Sequence, residues 1–167
     1  MRRRDEADFT EFATYAVRRL RRTAYLMCGD WHRAEDAAQD ALVRVYRRWD
    51  KLNHHNGLNT YAHKAVVSSV LDQAKRPWRR EHVAESLTDQ PGKDSTVTVD
   101  ERLLVISALA ELADSQRACV VLRYYADLSI EETAAVLGIS AGTVKSHCSR
   151  GLGRLRELLG STERIPT

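Results

Sequence analysis

The stretch LSIEETAAVLGISAGTVKSHCSRGLGRLREL, Leu128 to Leu158, constrains the fold more than any other part of the chain. Ser129 reads as an N-cap, and Glu132 three residues on completes a capping box. Ile130, Ala134 and Leu137 then repeat at helical spacing. Gly138 stops that helix, because a left-handed C-cap costs glycine little. Ser140 caps a second helix, with Val144, Cys148, Leu152, Leu155 and Leu159 as its buried stripe. Its other face presents Thr143, Lys145, Ser146, His147 and Arg150, groups able to reach phosphates or base edges. The pattern reads as a helix-turn-helix, a motif that places its second helix in a major groove. A helical hairpin with a solvated face is the plain alternative.

The 167 residues fit one domain or two small ones. Composition is that of a soluble chain, 43% hydrophobic and 29% charged, and no apolar run approaches the ~20 residues of a membrane helix. The N-terminus MRRRDEADF is basic but lacks the apolar core of a secretory signal. Cys28, Cys119 and Cys148 lie on apolar helix faces and read as reduced thiols of a cytoplasmic protein. Net charge is only +3, but it is unevenly spread. Seven arginines fall between Arg2 and Arg22, and Lys75, Arg76, Arg79 and Arg80 surround Pro77 and Trp78. Between Glu81 and Glu101, six acidic residues face one lysine, Lys93. Basic regions on either side of an acidic connector point to two separate anionic contacts.

The expected architecture is all-α: two small helical domains joined by a flexible linker. Residues 1–80 form the first, with helices over Phe9–Met27, Arg33–Trp49 and Thr60–Lys75. The connector, 81–100, carries Pro91-Gly92 and no helical periodicity. A short strand over Thr96–Val99 would have no partner. Residues 101–160 form the second domain, with helices over Glu101–Leu112 and Gln116–Tyr125 ahead of the helix-turn-helix. Residues 161–167 read as a disordered tail.

Two further patterns carry chemistry. On AEDAAQDALVRVYRRW, Asp36, Gln39, Asp40 and Val43 share one helical face. Acidic residues one turn apart repel by a few tenths of a kcal/mol, so this face is either a solvated one or a docking surface for a basic partner. At the third helix, Lys64, Asp72, Gln73 and Lys75 lead into Arg76, Trp78, Arg79 and Arg80. Guanidinium groups neutralise phosphates and an indole stacks on a base; a helix end with favourable cations is the alternative. The preceding loop offers Asn53, His54, His55 and Asn56. These histidines with His63 do not form a catalytic arrangement: there is no HExxH, P-loop, nucleotide-binding glycine fingerprint or nucleophile elbow. No catalytic residue, metal or cofactor is expected.

Together these pieces resemble a bacterial RNA polymerase sigma factor of the extracytoplasmic-function group (sigma-70 group 4), of the actinobacterial sigma-E type. RTAYLMCGDWHRAEDAAQDALVRVYRRW is similar to that family's regions 2.1 and 2.2, and LADSQRACVVLRYYADLSIEETAAVLGISAGTVKSHCSRGLGRLRELL resembles region 4. The resemblance implies a non-enzymatic, cytoplasmic factor whose partners are core RNA polymerase, promoter DNA and an anti-sigma protein, with no membrane insertion. Asp36, Gln39, Asp40 and Val43 would dock on the coiled coil of the largest polymerase subunit, and region 4 on the flap of the second-largest. The loop from Asn53 to Asn59, including His54, His55 and Asn56, would receive a flipped −10 base. Lys64, Ser68, Asp72, Lys75, Arg76, Trp78, Arg79 and Arg80 would contact the −10 strand. Ser140, Thr143, Lys145, Ser146, His147 and Arg150 would read the −35 duplex, and the acidic linker would run through the RNA-exit path.

Three features depart from that family. Ser68 stands where many members have asparagine, and one hydroxyl cannot make an amide's paired bonds. His147 stands where arginine is frequent, which weakens bidentate guanine readout. The chain also stops soon after region 4, so control is expected from expression or a separate binder. A stand-alone helix-turn-helix regulator is the main alternative, and such a protein needs no AEDAAQDA face. A small metal-dependent hydrolase rests only on the loop histidines.

Overall fold

A computed structural model describes residues 3–52, 54, 55, 57–74 and 98–160. Helix α1 spans Arg3–Cys28. It starts before the expected Phe9 because Asp5 and Glu6 sit in its first turn, where the helix dipole favours acids. Gly29, at φ 69, ends it in the left-handed region that favours glycine. Asp30 then caps α2, Trp31–Arg47, by accepting from the backbone N–H groups of His32 and Arg33. A 3-10 turn, Trp49–Lys51, holds the buried Trp49 indole edge-on to Phe9 at 5.3 Å. Helix α3 is Leu58–Ala74. Ala34, Ala37, Ala38 and Ala41 are fully buried along α2. Side chains this small bring α1 and α3 close to its backbone, with Leu20, Ala24, Val45, Val66 and Val70 filling the space between.

Helix α4, Val99–Ala110, begins at a capping box between Thr98 and Glu101. That box starts the helix two residues before the expected Glu101, so Val99 and Asp100, expected in the connector, are helical and Thr98 is their cap; the rest of the suggested strand lies outside the described residues. Helix α5, Asp114–Val120, runs directly into a π-helical turn, Val121–Tyr125, where the sequence pattern predicted one plain helix. The Ala126 N–H reaches back five residues to the Val121 carbonyl at 3.0 Å. Asp127, at φ 59, completes the turn, a conformation that short polar side chains tolerate.

Helices α6, Ile130–Leu137, and α7, Ala141–Gly160, follow the sequence pattern closely. The Ser129–Glu132 capping box forms in both directions, and Gly138 sits at φ 67. The Ser140 hydroxyl accepts from the Thr143 N–H at 3.1 Å. Val144 and Cys148 are buried, whereas Leu152, Leu155 and Leu159 are half-buried. Helices α5 and α7 meet at Gly151, where a Cβ would lie 2.7 Å from Val120 Cγ2.

The two helical groups are not separate in space. One continuous apolar core joins Leu20, Ala24 and Val66 of the first to Leu109, Leu122, Leu128 and Val136 of the second. Arg117 Nη1 donates to the Met27 carbonyl at 3.0 Å, and Arg19 Nη2 to the Ala126 carbonyl at 3.4 Å, both across this seam.

Gly151→Ala tests the α5–α7 crossing. Over-packing costs about 1–3 kcal/mol, and alanine returns about 1 kcal/mol of helix propensity, so a net loss of up to about 2 kcal/mol is expected in urea denaturation. Adding Val120→Ala should relieve the clash; an unchanged midpoint in the single variant would show that the helices move apart freely.

Candidate nucleic-acid interface

The expected docking face on α2 forms as one outward stripe. Asp36 and Gln39 are exposed, Val43 is 47% exposed, and Asp40 is half-buried. Asp40 pairs with Arg44 one turn on at 2.9 Å. Gln39 Nε2 donates to Glu35 at 3.2 Å, and Glu35 in turn accepts from Arg21 of α1 at 3.2 Å. Arg21 lies 5.7 Å from the Trp31 ring, which stacks on Tyr25 at 3.7 Å. The acidic face therefore rests on an ordered layer rather than on freely rotating chains.

Arg44 was not among the expected site residues, yet it connects two of them. Its Nη2 holds Asp40, and its Nη1 donates to the Ser68 hydroxyl of α3 at 3.3 Å. The i,i+4 spacing from Asp40 was a readable signal for the first contact; nothing in the sequence marked the second. Lys64, Ser68 and Asp72 form a line along α3, exposed at both ends and half-buried at Ser68. Asn53, Asn56, Lys75, Arg76, Trp78, Arg79 and Arg80 lie outside the described residues.

The three histidines considered for a metal cluster take different places. His54 packs on the Trp49 ring at 4.2 Å, with Nε2 at 2.7 Å from the Trp49 carbonyl. His55 is exposed. His63 is 1% exposed within α3, with Nδ1 at 2.9 Å from the Asn59 carbonyl. Among the described residues, no three His, Cys, Asp or Glu side chains converge as a metal site. Cys119 and Cys148 contact each other in the helix-turn-helix core; burial pushes both thiols up, Cys119 to about 11. Burial disfavours the thiolate at both positions, so these groups pack rather than react.

On α7, Lys145, Ser146 and Arg150 are exposed. Thr143 is half-buried, its hydroxyl 2.8 Å from that of Ser140. His147 is also half-buried, and its Nδ1 is enclosed without a partner. Beside the helix, Arg123, Tyr124, Lys145, Ser149 and Arg156 line a recess of about 330 Å³. Arg123 is fixed there by a 2.6 Å bond to the Leu128 carbonyl. Three cations on this flank favour a phosphate backbone. Arg123 was missed because it comes from the preceding π-helical turn, and Arg156 because it lies three turns beyond Lys145, although it projects onto the same flank of α7.

An exposed acidic helix face, a polar stripe beside it and a capped helix pair with a left-handed Gly138 between define an all-α protein of the helix-turn-helix class. Residues 4–80 match Sigma-70 region 2, and residues 108–157 match Sigma-70, region 4. The chain belongs to the sigma-70 family of RNA polymerase sigma factors, in the extracytoplasmic-function group. It is 38% identical over 156 residues to the RNA polymerase sigma-E factor of Streptomyces avermitilis, covering 93% of this chain and 87% of that one. It is 36% identical over 144 residues to the ECF RNA polymerase sigma factor SigM of Mycobacterium tuberculosis, covering 86% and 72%. Among solved structures, it is similar to the sigma factor RpoE in complex with the anti-sigma factor NepR from Bartonella quintana. The TM-score is 0.76 at 25% identity, over 92% of this chain and 97% of that one.

Two serines at α7 separate a capping position from an exposed surface one. Ser140→Ala removes the cap and is expected to lower stability by about 1 kcal/mol. Ser146→Ala should stay within about 0.5 kcal/mol, as for an exposed surface change. Equal losses in thermal unfolding would contradict this division.

Proposed function

We propose that this chain is a dissociable promoter-recognition subunit that binds core RNA polymerase and directs initiation through −10 and −35 contacts. It has no chemistry of its own; binding energy, not a reacting side chain, drives its work. The observation that carries the reading is the pairing, on one chain, of the outward α2 stripe with the capped recognition helix. A stand-alone helix-turn-helix regulator has no use for the first.

In this reading, residues 1–80 are the polymerase-binding and −10 unit, 81–100 the linker, 101–160 the −35 unit and 161–167 a tail. Asp36, Gln39, Asp40 and Val43 dock on the coiled coil of the largest subunit, and the second unit meets the flap of the second-largest. Lys64, Ser68 and Asp72 face the −10 strand, together with Asn53, His54, His55, Asn56, Lys75, Arg76, Trp78, Arg79 and Arg80. Arg44 holds Ser68 from behind, so the serine hydroxyl reaches DNA already oriented. Lys145, Ser146 and Arg150 carry most of the duplex contact, with Ser140, Thr143 and the half-buried His147 as supports. The site of action is the cytoplasm, where polymerase works; among the described residues no helix is long and apolar enough to cross a membrane. An anti-sigma protein is the expected regulator, as NepR is for the RpoE structure that this chain resembles.

Transcription with core polymerase on a genomic template library tests the reading directly: promoter-specific starts are expected only when this protein is added. Their absence on every template would end it. Asp40→Arg should weaken core binding more than about 10-fold, since a reversed charge at a docking face is repelled. Arg150→Ala should cost about 1–3 kcal/mol of −35 duplex affinity, read from footprint titration, if the guanidinium contacts a base.

A further inference from the structure

Wide turns inside a helix are rare and occur mostly at functional sites. The π-helical turn Val121–Tyr125 carries Arg123 and Tyr124. Neighbouring residues of a regular α-helix point apart, yet here both line the recess beside α7. Arg123 Nη1 is held by the Leu128 carbonyl at 2.6 Å, and its guanidinium carbon lies 5.8 Å from the Tyr124 ring. Tyr124 is 58% exposed, which leaves ring surface open to a ligand.

Helix α7 contributes Lys145, Ser149 and Arg156 to the same recess, all exposed. Among the described residues, no acidic side chain lines it. The floor is apolar, made by Ile130, Cys148 and Leu152. Ile130 and Cys148 belong to the buried cluster around Val144, so the packing of α6 on α7 fixes that floor. At about 330 Å³ the recess falls within the about 300–1,000 Å³ of small-molecule sites. Such sites combine an apolar lining with a few convergent polar groups.

The lining calls for a ligand of two parts. One phosphate group carries about −1.5 to −2 charges, so three cations exceed what it neutralises and suit a diphosphate. A tyrosine face and an apolar floor suit a flat ring. The backbone of duplex DNA can use the cations but gains nothing from the floor. We propose that the recess is a binding site for a small phosphorylated ring compound, a nucleoside diphosphate in chemical class. Lys145 also belongs to the duplex-contacting set, so ligand and duplex compete for it, and an occupied recess weakens DNA binding. That consequence rests on the function proposed above; the binding itself does not.

The test is calorimetric titration of the full chain, free of divalent cations, with adenosine diphosphate, inorganic pyrophosphate and adenosine. Adenosine diphosphate is expected to bind at one site about tenfold or more tighter than either half, since linked halves bind as one unit. Tyr124→Ala should weaken it about tenfold, as for loss of one stacking contact, and leave pyrophosphate unchanged. Tyr124→Phe keeps the ring and should bind as the wild type does. Arg156→Ala should weaken both adenosine diphosphate and pyrophosphate, since each loses a charge-assisted bond. Both side chains are exposed, so helical circular dichroism should be unchanged in every variant.

In a second arm, adenosine diphosphate should displace a fluorescent random-sequence duplex from the wild-type chain and, at the same concentration, not from Tyr124→Ala. No binding of adenosine diphosphate, or binding that neither alanine variant weakens, would overturn the proposal. So would pyrophosphate that binds and displaces the duplex as well as adenosine diphosphate does, which would make the recess a subsite for backbone phosphate only. Neither polymerase nor a promoter enters the measurement. Failure here therefore leaves the sigma reading standing, and absence of promoter-directed transcription leaves the nucleotide site standing.

Discussion

A single guanidinium joins the end of α1 to the start of the helix-turn-helix unit. Arg117 donates from Nε to the Leu109 carbonyl at 2.7 Å, from Nη2 to those of Ala110 and Leu112 at 3.1 and 3.0 Å, and from Nη1 to that of Met27 at 3.0 Å. The last carbonyls of a helix have no partners within it, and a planar fork with five donors satisfies several of them at once. Lysine has neither the reach nor the geometry. The ion pair with Asp114, at 3.6 Å to a carboxylate 87% exposed, adds little to this. With Arg117 in place, the ends of α1 and α4 and the start of α5 are fixed together. The Gly151 crossing then fixes α7 on α5, so the position of the recognition helix traces back to this one side chain.

Local devices were legible in the sequence, and long-range ones were not. Ser129, Glu132, Gly138 and Ser140 act within four residues of themselves, so their spacing alone set the helix-turn-helix boundaries. The stripe Asp36, Gln39, Asp40 and Val43 needed only the helical period. Arg117 and Met27 are 90 residues apart in the chain, and no spacing rule connects them. Ser68 was read through its departure from a family pattern, but its partner Arg44 comes from another helix. Likewise His147 looked like a DNA-facing residue by position alone, and only the packing around Nδ1 shows how much of it is enclosed.

His63 illustrates why burial of a polar group is hard to foresee. The apolar period of α3 runs through Tyr61, Ala65, Val66 and Val70, and a histidine reads as an interruption of it. Its face becomes interior only because α6 arrives from the other half of the chain. The seam so formed leaves His63 Nε2 and Thr133 Oγ1 without partners. An unsatisfied buried polar atom costs about 1–3 kcal/mol, which offsets much of the gain from covering a few apolar side chains such as Val136.

The boundary between the units is mixed: Arg117 and Arg19 donate across it, while His63 Nε2 and Thr133 Oγ1 have no partner. Within each unit the contacts are of a different character: alanine-lined helices around Leu20 and Val66 in one, a capped pair crossed by α5 at Gly151 in the other. Precision of recognition therefore belongs to the two units, whose helix faces are held by caps and close packing. The seam carries two unpartnered polar atoms among its apolar contacts. The contrast follows from where the sequence places small and capping residues, and where it places a histidine.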